Sequence, residues 1–255
     1  MPADELLNLP LRSGKPRKSG ITEIMLVDTP TAMLQNHLED YHSFIDFIKF
    51  GIGCAYITPN LKEKIEIIKS YDIDIWFGGT LFEKFYSQNR YNEYLDYLQE
   101  YQIDWIEIST GTIDLNLEQR LSCIEQAKPH FHVISEVGSK DPDKVLPPSE
   151  WISDTKALLA AGCEYVILEG RDSATVGIYT QNGNVREGLL ADITDQIDCS
   201  KIIFEAPEKK GQNYFIKLLG PDVNLGNIKL QDILTLECQR QGLRSDTFYL
   251  DDSTP

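Results

Sequence analysis

The amino-acid sequence predicts an α/β fold in which eight strands and their helices close into a single (β/α)8 TIM barrel. Eight short apolar runs recur along the 255 residues, and the first residues of successive runs lie 22 to 36 positions apart. Amphipathic segments with a helical period separate most of these runs, and repeats of roughly 25–35 residues are typical of β/α units. Strands that are buried on both faces of a parallel sheet have this continuous apolar character.

The predicted strands follow one another through the chain. They are Ile24–Asp28, Phe47–Gly51, Asp74–Gly79, Trp105–Ser109, His132–Gly138, Tyr165–Gly170, Lys201–Ala206 and Val223–Asn227. The clearest helices are Leu61–Tyr71, Arg90–Gln102, Leu117–Lys128, Trp151–Ala161 and Ile228–Arg240. The segment after the first strand, Thr29-Pro30-Thr31, lacks a G-x-G-x-x-G fingerprint, which argues against a dinucleotide-binding sheet.

Residues 1–20 are polar and include a basic cluster around Lys15-Pro16-Arg17, so we expect an N-terminal arm followed by one barrel domain over residues 21–255. The arm precedes the first strand closely enough for one of its cations to fold across a site. The sequence offers no linker or second domain boundary.

Charge and apolar content limit the classes of partner. The net charge of −16 argues against nucleic acid and against an anionic membrane, because both need a basic face. A small anionic ligand stays compatible, since a few cations can be focused in one cleft. No apolar run approaches the ~18–20 residues of a membrane span, and the N-terminus lacks the apolar segment of a signal peptide, so we expect a cytoplasmic protein. The five isolated cysteines suit reduced thiols there.

Polar residues gather where the predicted strands end, which is where barrel enzymes carry their catalytic groups. These residues include Asp28, Lys49, Glu107, Glu136, Glu169, Arg171, Glu205 and Asn224. Carboxylates are almost never fully buried unless they are paired or bound to metal. The series therefore predicts a functional cluster.

Three of these carboxylates, Glu107, Glu136 and Glu169, occupy similar places in the fourth, fifth and sixth strands. Neighbouring strands lie ~4.8 Å apart, so inward-facing carboxylates would repel one another unless a cation lies between them. Hard oxygen ligands without His or Cys favour Mg²⁺. Ion pairs with nearby lysine and arginine residues are the alternative way to neutralise them.

Backbone N–H groups and hydroxyls suited to phosphate occur in two segments, Gly78-Gly79-Thr80 and Ser109-Thr110-Gly111-Thr112. The paired glycines are equally compatible with a tight turn into a helix. The last predicted strand, with Asn224 and Gly226, falls where barrels often place phosphate.

The ordered combination of these motifs resembles the phosphosulfolactate synthase family, which also includes plant heat-stress-associated relatives. The matching segments are Lys15-Pro16-Arg17, Asp46–Gly51, Gly78–Glu83, Ile106–Ser109, Ser135–Gly138, Leu168–Arg171, Phe204–Pro207 and Val223–Ile228. Together with the C-terminal Leu236-Glu237 and Gly242-Leu243-Arg244, they cover about residues 15–247. The order of the motifs is more specific than any one of them.

The resemblance implies a carbon–sulfur lyase acting in the synthetic direction, which adds sulfite to phosphoenolpyruvate with Mg²⁺. The product would be (2R)-phospho-3-sulfolactate, a precursor of coenzyme M or of sulfolactate. Lys140 and Glu136 are implied as catalytic residues, with Lys140 as the proton donor. The expected substrate-binding residues are Arg17, Lys49, Gly79, Thr80, Ser109, Arg171, Asn224 and Gly226, and the expected metal ligands are Glu107, Glu136 and Glu169.

Thr110, Ser139 and Cys54 depart from the usual pattern of the family, and two alternatives therefore stay open. In the first, the same barrel acts on another substrate like phosphoenolpyruvate or uses another nucleophile. In the second, the protein is a non-catalytic, stress-associated binding protein. Apolar helix faces are also compatible with a homo-oligomer.

Overall fold

The chain folds into the predicted (β/α)8 TIM barrel in a computed structural model that describes residues 6–139, 146–171 and 173–250. Strands β1 to β8 are Thr22–Leu26, Phe47–Phe50, Asp74–Phe77, Trp105–Ile108, His132–Val137, Tyr165–Leu168, Ile202–Glu205 and Leu225–Ile228. The paired strands are parallel, in the order β3-β2-β1-β8-β7-β6-β5-β4. Strands β3 and β4, at the two ends of this order, also contact each other, so the barrel is nearly closed.

The described part of the chain contains nine α-helices, two of which follow β3, whereas each other strand is followed by one. Helices α1 to α9 are Thr31–Tyr41, Leu61–Lys69, Gly79–Ser87, Tyr91–Glu100, Leu117–Ala127, Pro148–Ala161, Glu187–Gln196, Lys209–Leu219 and Ile233–Arg240. The start of the last predicted helix was wrong. Ile228 is the final residue of β8 and pairs with Ile24 of β1. The sequence could not decide this, because an apolar residue at this position is compatible with the period of a strand and with that of a helix.

Each predicted strand differs from the structure in at least one bound, and the starts of the first and eighth are displaced by two residues. The first was expected at Ile24–Asp28 and lies at Thr22–Leu26, and the eighth was expected at Val223–Asn227 and lies at Leu225–Ile228. Apolar runs locate a strand, but pairing with its neighbours decides where it begins and ends. These small shifts change which polar residues belong to a strand, and therefore which of them are expected to face the barrel interior.

Two apolar layers hold the barrel together. A large cluster of buried residues packs between the strands and the surrounding helices. A smaller cluster fills the interior and includes Phe47, Trp76, Trp105, Tyr165 and Ile203. The Phe47 ring lies 5.0 Å, between ring centroids, from both Trp76 and Trp105. This interior layer closes the barrel below the polar residues at its C-terminal end.

The N-terminal arm contacts the opposite end of the barrel. Arg12 pairs with Asp222 at 2.5 Å and with Glu237 at 3.2 Å. Arg17 pairs with Asp46 at 3.2 Å, and Asp46 precedes β2 and accepts a hydrogen bond from the backbone N–H of Thr22. These contacts tie the arm to the N-terminal ends of the strands.

Across the described residues, no helix combines the length and apolar character that crossing a bilayer requires.

Candidate active site

A cavity of about 250 Å³ opens among the C-terminal ends of the strands. Its wall includes two cationic side chains and the four buried glutamates Glu107, Glu136, Glu169 and Glu205. This volume is below the roughly 300–1,000 Å³ of pockets for drug-sized ligands, so it suits a small metabolite. Larger grooves of about 350 and 750 Å³ lie elsewhere, but their described lining residues include no comparable group of buried carboxylates.

Lys49 lies at the centre of this charged interior and is only 4% exposed. Its ammonium nitrogen is 3.2 Å from Glu205 Oε1 and 3.7 Å from Glu23 Oε2. Burial alone would lower the pKa of Lys49, but the carboxylates of Glu23 and Glu205 outweigh burial and hold its pKa above the ordinary value. Lys49 is therefore protonated and forms ion pairs with two carboxylates.

Glu23 is a part of this cluster that the sequence analysis missed. The predicted first strand began at Ile24, whereas the observed strand begins at Thr22, and Glu23 is completely buried beside Lys49. Asp28, which the prediction placed at the strand end, is exposed beyond it and is not part of the cavity wall as described. Side chains alternate between the two faces of a strand, so Glu23 lies on the same face as Met25, which lines the cavity. Extending the predicted strand backwards by this rule would have found Glu23.

The carboxylate of Glu107 fixes the start of helix α3. Its Oε2 accepts a hydrogen bond from Trp76 Nε1 at 2.8 Å, and its Oε1 accepts one from the backbone N–H of Gly79 at 2.9 Å. Gly79 is the first residue of α3, and both Gly79 and Thr80, which the sequence analysis assigned to substrate binding, line the cavity. The positive end of the helix dipole therefore faces the cavity.

Substituting Gly79 with alanine is expected to lower the free energy of unfolding by about 1–3 kcal/mol. An added Cβ would lie 2.5 Å from Ser109 Cβ and closer still to the Ser109 hydroxyl and the Glu107 carboxylate. Gly188→Ala in α7 is the matched control, because no heavy atom lies within 4 Å of its added Cβ. Urea unfolding of both variants checks this, and equal stabilities would contradict it.

Ser109, which the sequence analysis assigned to substrate binding, instead anchors the loop after β4. It is fully buried, and its hydroxyl donates to Glu83 Oε1 at 2.9 Å. Glu83 Oε2 accepts the backbone N–H of Thr112 at 3.0 Å, and Thr112 lines the cavity. The loop thus presents Thr112 because Ser109 and Glu83 hold it against α3.

Arg171 enters the cavity wall from the end of β6, as predicted, and its backbone is held by two carboxylates. Its N–H is 2.6 Å from Glu169 Oε1 and 2.9 Å from Glu205 Oε2. Glu205 Oε2 also accepts the backbone N–H of Gly170 at 2.9 Å. Glu205 thus joins the turn after β6 to Lys49, although the sequence analysis gave it no assigned role.

Three residues of the cavity wall other than glycine have a left-handed backbone. The φ angles are +49° at Ile52, +60° at Arg171 and +57° at Asn227. Such conformations are rare, most of all for a β-branched residue such as isoleucine, and they cluster at functional sites. The surrounding structure must therefore impose these turns.

Two predicted substrate-binding residues lie at the opposite, N-terminal end of the barrel. Arg17 pairs with Asp46 there, and its Nε and Nη2 donate to the backbone oxygens of Ser13 and Ser43. Asn224 precedes β8, where its amide oxygen accepts the backbone N–H of Ile21. Its NH₂ group donates to the backbone oxygens of Ser200 and of Ile202, the first residue of β7. The structure therefore does not bring either residue to the described cavity wall, because sequence order does not show which end of a strand a flanking residue occupies.

Gly226, another residue that the sequence analysis assigned to substrate binding, lies against the buried carboxylate of Glu23. A Cβ at this position would lie 2.6 Å from Glu23 Oε2, so Gly226 provides the space that the buried carboxylate occupies. It is not among the described residues of the cavity wall.

Glu136 of β5 lines the cavity and is 3% exposed. Its backbone oxygen accepts a hydrogen bond from Arg120 at 3.2 Å, and Arg120 also pairs with Asp154 of α6. This contact fixes the C-terminal end of β5. Lys140, the predicted proton donor four positions later, lies outside the described residues.

The donor set of the cavity fits a divalent cation in charge and in ligand type. Four buried glutamates line the cavity with Lys49 and Arg171, and Glu23 is buried beside Lys49. Carboxylate oxygens are the ligands that Mg²⁺ prefers. Burial raises the pKa of Glu23, because removal from water disfavours the charged carboxylate. Within the described ranges, no three acidic, histidine or cysteine side chains already form a compact metal-binding group. Mg²⁺ usually keeps waters and takes few protein carboxylates, so the ligand set stays a prediction.

These features define the class of protein: a TIM barrel with a small cavity at the C-terminal ends of its strands, lined by buried carboxylates and two cationic side chains. Solved structures show the same fold, among them 3-hexulose-6-phosphate synthase from Salmonella typhimurium. That structure has a TM-score of 0.55 and 15% sequence identity, and the match covers 87% of this chain and all of that one.

The family model for (2R)-phospho-3-sulfolactate synthase (ComA) matches residues 10–246. A phosphosulfolactate synthase of Bacillus subtilis is 42% identical over 97% of this chain and 99% of its own length. A second, from Methanothermobacter thermautotrophicus, is 41% identical over 93% and 95% of the two chains. The chain belongs to the phosphosulfolactate synthase family.

The predicted resemblance to plant heat-stress-associated proteins is also confirmed. The Arabidopsis thaliana protein named HEAT-STRESS-ASSOCIATED 32 is 24% identical to this chain over 94% of both lengths.

Proposed function

We propose that the protein is an enzyme that joins sulfite to C3 of phosphoenolpyruvate and so forms (2R)-phospho-3-sulfolactate. The family match carries this proposal, because residues 10–246 include all eight strands and every described residue of the cavity wall. The small cavity and its mixture of cations and carboxylates support a small, multiply charged substrate. A cytoplasmic location and a role in coenzyme M or sulfolactate synthesis stay predictions.

The proposed reaction has two steps and no leaving group. The sulfur lone pair of sulfite attacks C3, a carbon–sulfur bond forms, and the double-bond electrons move to C2 and its carboxylate. A proton then adds to C2, and the phosphate keeps its bond to the C2 oxygen. The protein must hold two anions together and stabilise the charge that develops between them.

The described residues can supply this stabilisation. The guanidinium of Arg171 suits a planar, bidentate contact with a carboxylate, phosphate or sulfite oxygen pair. Gly79 and Thr80 at the start of α3 direct the positive end of a helix dipole to the cavity. Lys49 adds a fixed positive charge, and its two ion pairs with carboxylates make it a positioning residue.

Glu107, Glu136 and Glu169 are the residues that would hold Mg²⁺, which would supply positive charge beside the enolate-like carboxylate of the substrate. Lys140 is the proposed donor of the proton to C2. Glu136 is then positioned by its own strand, whose end Arg120 fixes.

Two of the sequence departures lie away from the described cavity wall. The hydroxyl of Thr110 bonds to the backbone oxygens of Ile113 and Leu115, within its own loop. The thiol of Cys54 is buried and donates to the backbone oxygen of Leu26. Because neither side chain lines the described cavity, these two departures are weak evidence for a different substrate or nucleophile. This supports sulfite addition over the alternative.

Purified protein incubated with phosphoenolpyruvate, sulfite and Mg²⁺ is expected to produce phosphosulfolactate, detected by mass spectrometry. Omitting sulfite or adding a chelator should stop product formation. Thermal stabilisation by phosphoenolpyruvate without product would instead favour another nucleophile. For the binding-protein alternative, the test is complementation: a cellular phenotype that survives replacement of Glu136, Lys140 and Arg171 would exclude a catalytic role.

A further inference from the structure

A bulge in β8 sets the conformation of Asn227. Thr22 of β1 pairs with Leu225 of β8, whereas Ile24 pairs with Ile228, so β8 carries one more residue than β1 over this interval. The chain accommodates the extra residue with a left-handed φ of +57° at Asn227. Bulges beside functional sites commonly re-aim a side chain, and Asn227 lines the cavity.

The side-chain amide of Asn227 is buried without a partner for its oxygen. The residue is 3% exposed, and Oδ1 accepts no hydrogen bond from the residues that the structure describes. Buried polar groups are nearly always hydrogen-bonded, and leaving one unsatisfied is unfavourable. An amide bordering the cavity with unmet hydrogen-bonding capacity therefore points to a bound ligand.

Glu23 holds the backbone of this bulge. Its Oε2 accepts the N–H of Asn227 at 2.9 Å and lies 3.7 Å from the Lys49 ammonium. Gly226 allows this approach, because any side chain there would meet the carboxylate. On the neighbouring strand, Glu205 holds the N–H of Arg171 and pairs with the same lysine. Lys49 and its two carboxylates thus join the two left-handed turns that carry Arg171 and Asn227.

Resting on the function proposed above, we propose that the amide of Asn227 donates a hydrogen bond to the phosphate of phosphoenolpyruvate, with Glu23 as its positioning residue. TIM barrels often bind phosphate at the last two strands, and Asn227 lies in the eighth. An amide can rotate about its last bond to present its NH₂ group, which is a donor without charge. Arg171 lies across β7 from it, so the two side chains can bind the anion from opposite sides.

Asn227→Gly tests the donor while keeping the bulge, because glycine adopts a left-handed φ without strain. The KM for phosphoenolpyruvate should rise roughly 10- to 100-fold, the range for losing one hydrogen bond to a charged group. The inhibition constant of inorganic phosphate should rise in parallel, and the KM for sulfite should stay within about twofold. Asn89→Gly is the matched control, since Asn89 has the same φ of +57° and is exposed outside the cavity.

Asn227→Asp tests whether the hydrogen-bond donor of the side chain matters, or only the shape of the side chain. Aspartate is nearly isosteric and tolerates the left-handed backbone, but it places a negative charge where the phosphate would bind. Its KM for phosphoenolpyruvate should exceed that of Asn227→Gly. An Asp variant that binds phosphoenolpyruvate as well as the native protein would overturn the proposal.

The positioning role of Glu23 is tested by comparing Glu23 variants in the native protein and in the Asn227→Gly variant. Glu23→Gln keeps an acceptor for the Asn227 N–H, whereas Glu23→Ala removes it, so the alanine variant should show the larger rise in KM for phosphoenolpyruvate. In an Asn227→Gly background this difference should disappear, because the amide that Glu23 positions is already absent. A difference that persists unchanged would overturn the positioning role.

Failure of this inference is distinguishable from failure of the proposed function. If the native protein forms product and Asn227→Gly shows unchanged KM and phosphate inhibition, only the phosphate site is overturned. If the native protein forms no product, calorimetric titration with inorganic phosphate decides the site separately. Weaker binding by Asn227→Gly than by native protein then supports it, and equal or undetectable binding by both overturns it.

Discussion

Replacing Lys49 with methionine is expected to lower the free energy of unfolding by about 3–5 kcal/mol, because it removes the partner of a buried charge pair. The ammonium lies 3.2 Å from Glu205 and 3.7 Å from Glu23, and all three side chains are nearly inaccessible to solvent. Methionine is unbranched and keeps most of the length of the lysine side chain, so most of the loss comes from removing the charge. This is a large part of the ~5–15 kcal/mol that stabilises typical domains.

The loss should grow with pH. Burial raises the pKa of Glu23 above 4.5, and the charge of Lys49 opposes that rise. A carboxyl whose pKa is raised in the folded state contributes stability that is present below its unfolded pKa and is lost as pH rises through the folded pKa. Without Lys49 the folded pKa of Glu23 rises further, so the variant should lose more stability than the native protein between about pH 5 and about pH 8.

Urea unfolding at both pH values, with a chelator present, measures this effect. Lys64→Met is the matched control, because Lys64 is also buried but donates to the backbone oxygen of Thr29 at 2.8 Å. The control should lose about 1.5–3 kcal/mol, with little added dependence on pH. Identical pH profiles for the two variants would refute the charge-pair explanation.

Replacing Lys140 with alanine is expected to reduce kcat by roughly 10²- to 10⁴-fold, the usual contribution of a positioned general acid. This expectation rests on the family resemblance and on the proposed protonation of C2. The described residues beside it, Gly138 and Ser139, continue directly from β5, whose Glu136 lines the cavity. Circular dichroism and thermal unfolding should match the native protein.

Lys140→Arg distinguishes proton donation from charge. Arginine keeps the positive charge, but its pKa lies far above neutral, so it is a poor acid near neutral pH. The arginine variant should therefore keep a KM close to native while kcat stays low. Lys144→Ala changes a lysine in the same segment and should keep native kcat. Native kcat in Lys140→Ala would exclude this lysine as the acid.

The barrel and much of the cavity could be predicted because their signals are local. Buried parallel strands need continuous apolar runs, and their recurrence identified all eight β/α units. Inward carboxylates at equivalent strand positions marked Glu107, Glu136 and Glu169, and all three line the cavity. The glycine pair identified the start of α3, where Gly79 has no room for a side chain.

The missed residues depend on pairing between distant strands. Glu23 was outside the predicted first strand, yet its carboxylate meets Lys49 and the N–H of Asn227. The bulge that places Asn227 exists only as a register shift between β1 and β8, which are about two hundred residues apart in the chain. Arg17 and Asn224 carried suitable chemistry, but they lie at the other end of the barrel.

The sequence by itself determined the fold, the family and the set of acidic strand-end residues, since apolar period and motif order are properties of the chain alone. Only the tertiary structure decided which polar groups meet. Register and barrel closure bring Glu23, Lys49 and Glu205 together, and they turn Ser109 away from the cavity toward Glu83. The physical reason is that burial makes each charge depend on partners from other strands, and linear order does not specify those partners.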